Sequence, residues 1–520
     1  DDQFDDDDDV EVINVVAAGD ADDEEGGEEV TFAVRTSAVE EQAAGTYMML
    51  LMFEAMQAFM EPYVQRVTPR LEELVRTSVH DDVRSCAMMC LPEVVRTVAR
   101  GRAGGPEGVR GVLGWALGAS THATRTSSDR EGITWGLQAT QLSLHYACLD
   151  WSRYPDPTYS QEPPQPTPET SVGPLLSRDQ LENVVQTLRT TWRDSIQRRA
   201  VARGELQVAV REAQELAFGA GGDDADGDED DQLALDEGIN SEALVQFHVV
   251  ENVGMLFKTH GAVFTPVYQA LLHEMVATFL HEQCLSKDRN VACAVVLDLA
   301  MHGGEAAAPL LESYLPLLAS CAVDTRDDAV RQSAAGVLGA LPERHPMLAA
   351  RHARLLLESL GASVQAGDGH GGPRTVATDA AVLSVGRLLA SPAAAALGDD
   401  AALHSMWGRW LEYLPLRHAE DESREATLQL CRLVGSGNAL LLGRHLERLP
   451  VALEAMLQVV GARAALGDGA LSNAAVSASM LSALDSLRGL SSAAVDDALA
   501  RLGPEARERL AAARAEAAAG

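Results

Sequence analysis

Apolar residues recur at helical period along most of this chain, and the runs break at short polar turns. Residues 63–79 read as one amphipathic helix, and His80-Asp81-Asp82-Val83-Arg84 as a turn opening a second helix that ends near Val98. The same order returns at 306–323, followed by Asp327-Asp328-Ala329-Val330-Arg331 and a helix ending near Leu341. Asp129-Arg130, Asp288, the neighbourhood of Arg374 and Asp421 fit the same slot. The spacing is 47 residues from Asp82 to Asp129, 40 from Asp288 to Asp328, then 46 and 47. This is the period of a helical hairpin repeat.

A hairpin of two helices cannot bury both its apolar faces alone, whereas stacked hairpins share one continuous core. The pattern therefore predicts an all-α solenoid, a superhelix of stacked antiparallel helical hairpins. The turn residues Asp82 and Asp328 are expected to cap the second helix of their hairpins. Arg84 and Arg331 are expected to reach the Asp of the neighbouring repeat and so help fix the stacking angle. Both pairs read as structural. Composition agrees with a helical chain: 46% of residues are apolar but only 4% aromatic, with Ala and Leu ahead of the strand-favouring types.

Charge divides the chain further. Asp plus Glu number 77 against 41 for Lys plus Arg, a formal net charge of -36. That sign argues against direct nucleic-acid binding and for a basic partner. Residues 1–30 hold 15 acids and no base, and 223–237 hold 9 acids and no base. Runs of this kind repel themselves and bury little, so both are expected to be solvated segments without fixed structure that also attract basic partners. Asp223, Asp224, Asp226, Asp228, Glu229, Asp230 and Asp231 are the candidate cargo-attracting residues. Seven prolines fall within residues 155–174, which marks an extended surface loop.

The expected organisation follows from these breaks. An acidic disordered segment covers 1–30, repeats cover 31–154, and a Pro-rich loop covers 155–176. A long charged helix spans 177–218, with an acidic loop over 219–240. Repeats resume over 241–437, and closing repeats with a terminal cap fill 438–520. Within that last part, helices are expected over 439–449, 450–460, 471–487 and 491–502, with an Ala-rich fraying end over 505–519.

Signals for chemistry are weak throughout. His273-Glu274 and His281-Glu282 stand eight residues apart, not the spacing that sets two imidazoles one turn apart for zinc. Cys86 and Cys90, with His80 nearby, lie on a buried stripe and lack a second ligand pair. Val434-Gly435-Ser436-Gly437 is out of frame for a nucleophile elbow, and Gly118-Ala119-Ser120-Thr121-His122 lacks its second Gly. The six tryptophans, Trp115, Trp135, Trp151, Trp192, Trp407 and Trp410, form no basic cluster and suit the core or the repeat interfaces. The seven cysteines are too sparse for a disulfide framework and favour a reducing compartment. The longer apolar runs are too short to cross a bilayer. No cofactor, no metal, no membrane insertion and no enzymatic activity are expected, which leaves recognition of proteins on a long helical surface.

The ordered succession of three segments carries a family resemblance. Asp328-Ala329-Val330-Arg331-Gln332-Ser333-Ala334-Ala335-Gly336-Val337-Leu338-Gly339, then Trp410-Leu411-Glu412-Tyr413-Leu414-Pro415-Leu416, then Gly437-Asn438-Ala439-Leu440-Leu441-Leu442-Gly443 resemble HEAT repeats of the importin beta (karyopherin beta) family. They are most similar to the importin-5 (importin beta-3) type, in its carboxy-terminal portion. Val10-Glu11-Val12-Ile13-Asn14 and residues 81–87 fit the same register. The resemblance implies a HEAT-repeat α-solenoid that carries basic cargo, such as ribosomal proteins or histones, through nuclear pores. It implies cargo release by the Ran GTPase in its GTP form, mainly through amino-terminal repeats outside this chain, along with nucleoporin contacts and shuttling between cytoplasm and nucleus. The Pro-rich loop and the Gly-rich stretch near 361–372 depart from the family pattern. The alternative is a HEAT scaffold of the phosphatase-subunit or microtubule-regulator kind.

Overall fold

Stripes of Leu, Val and Ala at intervals of three and four residues can be buried only if each helix lies against another, and this requirement generates the architecture. The computed structural model describes residues 10–16, 29–78, 80–101, 105–154, 165–167, 170–219, 226–368, 374–462, 471 and 473–519. Two units divide the chain, Asp1–Val267 and Tyr268–Gly520. Each is built from antiparallel helical hairpins stacked side by side, so the all-α HEAT-repeat solenoid fold is the one observed.

The first unit opens with two strands, β1 (Val10–Val16) and β2 (Glu29–Arg35), paired antiparallel with Ile13 opposite Phe32. Part of the acidic opening, expected to lack structure, is therefore a hairpin. Its two runs are rich in β-branched residues, and that preference outweighs the charge around them. Then come α1 (Thr36–Met56), a 3-10 stretch Gln57–Tyr63, α2 (Val64–Thr77), α3 (Asp81–Gly101), α4 (Gly105–Thr126) and α5 (Arg130–Cys148). The α3 helix packs on α1 and α2 on one side and on α4 and α5 on the other, so Leu91, Val94 and Val95 are fully buried. Most of the Pro-rich loop falls outside the described residues. Its far end returns to α5 through a bridge between Leu149 and Ser171.

The long charged helix expected over 177–218 is α6 (Arg178–Gly219). The acidic loop expected over 219–240 is not a loop beyond residue 225, because α7 (Asp226–Leu271) already begins at Asp226. Acids gathered in the opening turns favour the positive end of a helix dipole, which offsets their mutual repulsion. Gly261, at φ 48° and ψ -123°, breaks α7 and turns its last residues aside. Across that break Phe257 and Phe264 meet with ring centroids 4.6 Å apart.

The second unit contains α8 (His273–Phe279), α9 (Ser286–His302), α10 (Ala308–Ala322), α11 (Asp328–Arg344), α12 (Pro346–Asp368), α13 (Val376–Ala390) and α14 (Asp400–Glu412). It continues with α15 (Glu420–Gly435), α16 (Ala439–Leu442), α17 (Leu449–Leu457), α18 (Ala474–Arg501) and α19 (Pro504–Ala519). The second helices of successive hairpins, α9, α11, α13, α15 and α18, form one ladder, while α10 lies on α12 behind it. Small residues set how closely the ladder packs. A Cβ on Gly386 would fall 2.7 Å from Trp410 Cε2, and one on Gly339 would collide with Ser384. Trp410 also donates its Nε1–H to the Val382 carbonyl at 2.9 Å and meets Trp407 edge-on.

The Gly-Ser-Gly sequence after Val434 is a helix stop. Gly437 at φ 65° lets Asn438 N–H reach the Leu433 carbonyl and Gly437 N–H the Val434 carbonyl, closing α15. The helix expected over 439–449 ends at Leu442, because Gly443 and Leu446 both take positive φ. The segments 471–487 and 491–502 merge into α18, with a break at Ser491. The Ala-rich end does more than fray: Ala513 is fully buried, and Glu516 accepts the Ser477 hydroxyl at 2.6 Å. All seven cysteines are free thiols, five of them buried. Among the described residues no helix is long and apolar enough to cross a membrane.

One buried histidine holds the end of the Pro-rich loop against α7. His260 Nε2 accepts the Leu176 amide at 3.1 Å and the Leu175 amide at 3.4 Å. Its Nδ1 lies 2.8 Å from Thr259 Oγ1, whose own hydrogen goes to the Met255 carbonyl, so Nδ1 carries the imidazole proton. The ring is neutral, and burial pushes its pKa down from the ordinary 6.5 to about 4. A depressed histidine pKa means the unfolded chain binds the proton more readily, so this stability is full above pH 6.5 and is lost as pH falls toward 4. The midpoint of thermal unfolding should drop across that window in the wild type and drop less in His260→Gln, followed by circular dichroism over a pH series. Parallel curves would remove His260 from the acid response.

Candidate functional site

Every second helix of a hairpin starts at a turn, and these turns carry the charged residues singled out by the sequence. Asp81 and Asp82 lie in the first turn of α3. Arg84 Nη2 donates to Asp81 Oδ1 at 2.5 Å and, across the seam, to Asp129 Oδ2 at 3.1 Å. Asp129 is the N-cap of α5, its other oxygen taking the Gly132 amide. The expected reach from one repeat to the next is thus made by Arg84. Asp82, in contrast, is exposed and lies inside the first turn of the helix.

At α11 the cap is displaced by one residue. Asp327, not Asp328, accepts the Ala329 and Val330 amides, at 2.8 and 3.3 Å. Asp328 instead pairs with Arg331, whose guanidinium also extends to Thr375 Oγ1, the N-cap of α13, at 3.5 Å. The reason is geometric: a capping side chain must sit on an extended residue just outside the helix, and Asp328 is already inside it.

The seam between α5 and the α6–α7 hairpin carries a buried polar network. Glu242 is fully buried and receives Arg130 Nε at 2.8 Å and Arg198 Nε and Nη2 at 2.6 and 3.0 Å. Burial alone would push its carboxyl up, but the bonds from Arg198, Arg130 and Ser195 outweigh burial and hold it below the usual carboxylate range. Further along, Gln138 meets His248, Gln141 meets Glu251, and Asn252 donates to the Leu137 carbonyl at 2.9 Å.

This clamp lies on the same helix as the acidic run. Asp226, Asp228, Glu229, Asp230 and Asp231 occupy the opening turns of α7, while Asp223 and Asp224 lie outside the described residues. Asp231 precedes Glu242 by eleven residues, about 16 Å of helix rise.

Two features escaped the sequence reading. A groove of about 1040 Å³ opens between α15 and α18, which touch at Gly435 and Ala483 and diverge toward Asp421 and Glu425. Arg424 and Arg432 line it too, so its charges balance. Nearby, Gln332 on α11 donates to Glu422 on α15 at 2.8 Å, bridging over the intervening α13. The second feature is a pocket of about 220 Å³ at the turn before α15, lined by Arg374, Arg417 and His418. Helical periodicity carries no signal for either, because both arise from how far neighbouring helices diverge. Among the described residues no cluster of three or more His, Cys, Asp or Glu is placed to hold a metal ion. His273 is instead bonded through Nδ1 to the Tyr314 hydroxyl at 2.7 Å.

No protein-family model matches the chain, and a search of curated proteins gives no match. Solved structures do. The chain is similar to the karyopherin Kap121p bound to the SUMO protease Ulp1p, with a TM-score of 0.61 and 14% identity, over 92% of this chain and 38% of that one. Against Kap121p bound to RanGTP the TM-score is 0.60 at 14% identity, over 96% and 39% of the two chains. Against Kap121p bound to Nup53p it is 0.59 at 13% identity, over 97% and 37%. The likeness is one of fold, and the chain spans under two fifths of the length of these neighbours.

The seam geometry separates two aspartates that look equivalent in sequence. Asp129→Ala removes a cap and the partner of Arg84 together, and should cost about 1–2 kcal/mol. Asp82→Asn should stay within about 0.5 kcal/mol of the wild type. Urea unfolding midpoints of the two variants check the contrast.

Proposed function

We propose that this chain is part of a nuclear transport receptor of the importin beta (karyopherin beta) class, of the importin-5 type, and that it binds basic cargo. The observation that carries the reading is the likeness to Kap121p over 92–97% of the chain, a protein solved with RanGTP, with Nup53p and with the other proteins its structures contain. Cargo proteins, the Ran GTPase and nucleoporins are the proposed partners, and passage between cytoplasm and nucleus is the proposed setting. Ran-GTP-dependent release belongs to the receptor as a whole. The function is recognition and carriage, with no chemical step assigned to any residue.

Charge supports the choice of a basic cargo. A net -36 accelerates encounter with cationic proteins, an effect that salt screens. The acidic run that leads into α7, the helix anchored further on by Glu242 to Arg130 and Arg198, is the proposed lure: Asp223, Asp224, Asp226, Asp228, Glu229, Asp230 and Asp231. The reading as a carboxy-terminal portion has support in α1, which is apolar on both sides. Leu50 and Phe53 face inward, while Met48 is 62% exposed, and Met52 and Met56 lie along the same outer stripe. An apolar stripe exposed opposite a buried one is suited to being covered, and a preceding hairpin is the proposed cover.

Replacing the seven acids by Asn should weaken capture of histones or ribosomal proteins in a pull-down and flatten its dependence on salt. Capture that keeps both its strength and its salt response would exclude the run. Addition of Ran-GTP to the full receptor should release cargo, whereas a stationary HEAT scaffold would hold its partner regardless.

A further inference from the structure

A buried arginine and two buried thiols meet where the end of α10 lies against the start of α9, at the corner between two successive hairpins. Arg289 Nη1 meets the Asp324 carboxylate, and its Nη2 donates to Cys321 Sγ at 3.3 Å. Asp324 also takes Arg326, through Nε at 2.9 Å and Nη2 at 2.7 Å, and Arg326 Nη2 reaches on to the Glu282 carbonyl at 3.1 Å. The turn before α11 is thereby held, and with it the guanidinium beside the sulfur. Cys293 stands one helical turn after Arg289 on α9, and its thiol is hydrogen-bonded to that of Cys321.

The bonds at Cys321 suit a sulfur that gives up its proton. Two donors point at Sγ, the Cys293 thiol and the Arg289 guanidinium, whereas its own hydrogen is directed at the Leu280 carbonyl over a long 3.5 Å. The bond from Cys293, helped by Arg289, holds the Cys321 thiol below its ordinary range against the effect of burial, while the same bond and burial push Cys293 up. The other five cysteines differ. Burial pushes Cys90, Cys148 and Cys431 up to about 12, and burial together with Asp82 or Asp288 raises Cys86 or Cys284. A thiol favoured as its anion beside a second thiol is the arrangement of an oxidisable pair.

We propose that Cys321 and Cys293 are a modification site for peroxides, which convert the pair to a disulfide and so join α9 to α10 across the seam between two hairpins. The Cys321 thiolate attacks one oxygen of hydrogen peroxide, the O–O bond breaks, and the departing hydroxide takes a proton from solvent, which leaves a sulfenic acid. The Cys293 sulfur then attacks that sulfur. An S–S bond forms, the S–O bond breaks, and the hydroxide departs as water with the Cys293 proton. The two thiols lose two electrons, and the peroxide is reduced to two waters. Sulfurs already in hydrogen-bond contact have only to close to about 2.05 Å. Peroxide is near water in size, and the exposed Val323, two residues beyond Cys321, puts the pair just beneath a surface turn. A reducing thiol reverses the step by exchange. The disulfide fixes the angle between these two hairpins whatever the chain carries, so the inference stands apart from the transport reading.

The test treats the full chain with limiting hydrogen peroxide, blocks the remaining thiols by alkylation and maps the unreduced digest by mass spectrometry. A peptide pair joined through Cys293 and Cys321, lighter by two hydrogens than its parts, should form about tenfold faster than Cys90, Cys148 or Cys431 is oxidised. Dithiothreitol should restore both thiols. Cys293→Ser removes the second thiol and should leave Cys321 as a sulfenic acid that a 1,3-diketone probe traps, whereas Cys321→Ser should leave Cys293 unreacted. Thermal unfolding checks that each variant is folded, and if either is not, the ranking of the cysteines in the wild type decides. Loss of Cys321 no faster than of the other three buried cysteines, the result expected if oxidation follows general opening of the fold, would overturn the assignment. So would a disulfide from Cys321 to Cys284 in place of Cys293, or no trapped sulfenic acid in a folded Cys293→Ser.

Discussion

A pair of antiparallel helices with apolar residues on both broad faces cannot be satisfied by folding alone, and every other property of this chain depends on that constraint. Burial of Val94 and Val95 in α3 needs α1 and α2 on one side and α4 and α5 on the other, and the ladder from α9 to α18 repeats the requirement. Each apolar side chain so covered is worth about 1.5–3 kcal/mol, so the seams between hairpins carry the stability that one large core would otherwise supply. The same constraint makes the outer stripe of α1 informative, because there the rule is left open.

Apolar contact does not by itself choose a stacking angle, and polar side chains do that at the helix starts. Arg84 to Asp129, Arg331 to Thr375 and Ser333 to Asn290 all join a residue to one about a repeat away. Near Glu242 the choice is more costly. Burying a carboxylate is tolerable there only because two guanidiniums meet it, and removing one partner would leave charge uncompensated. Directional bonds of this kind add little net energy but exclude neighbouring registers, which is how a seam made mainly of Leu, Val and Ala acquires one geometry.

Much of this was legible in the sequence. Periodicity located the hairpins, and the Asp-Val-Arg slot located the turns and the reach of Arg84 to the next repeat. The displaced cap was not legible, because Asp327 and Asp328 differ only in which one has extended backbone. Two errors of the same kind concern the acidic runs. Residues 10–16 were hidden by the charge around them although their Val and Ile content favours strands, and α7 starts within a run whose repulsion suggested a loop. The groove and the Arg374–Arg417–His418 pocket were out of reach for another reason. They are properties of gaps between elements, and a one-dimensional pattern records what fills space.

The bonds described at the helix starts lie along one edge of each seam, and the bond from Gln332 to Glu422 ties even the next but one helix along that edge. At the far ends of the same helices small residues meet, as at Gly435 against Ala483, and His345 Nε2 lies 2.9 Å from the Ala300 carbonyl across the α9–α11 seam. A seam bonded at both margins resists fanning as well as sliding. Within the second unit, a partner seated across several layers then works against a spring whose stiffness is shared between the helix starts and their far ends.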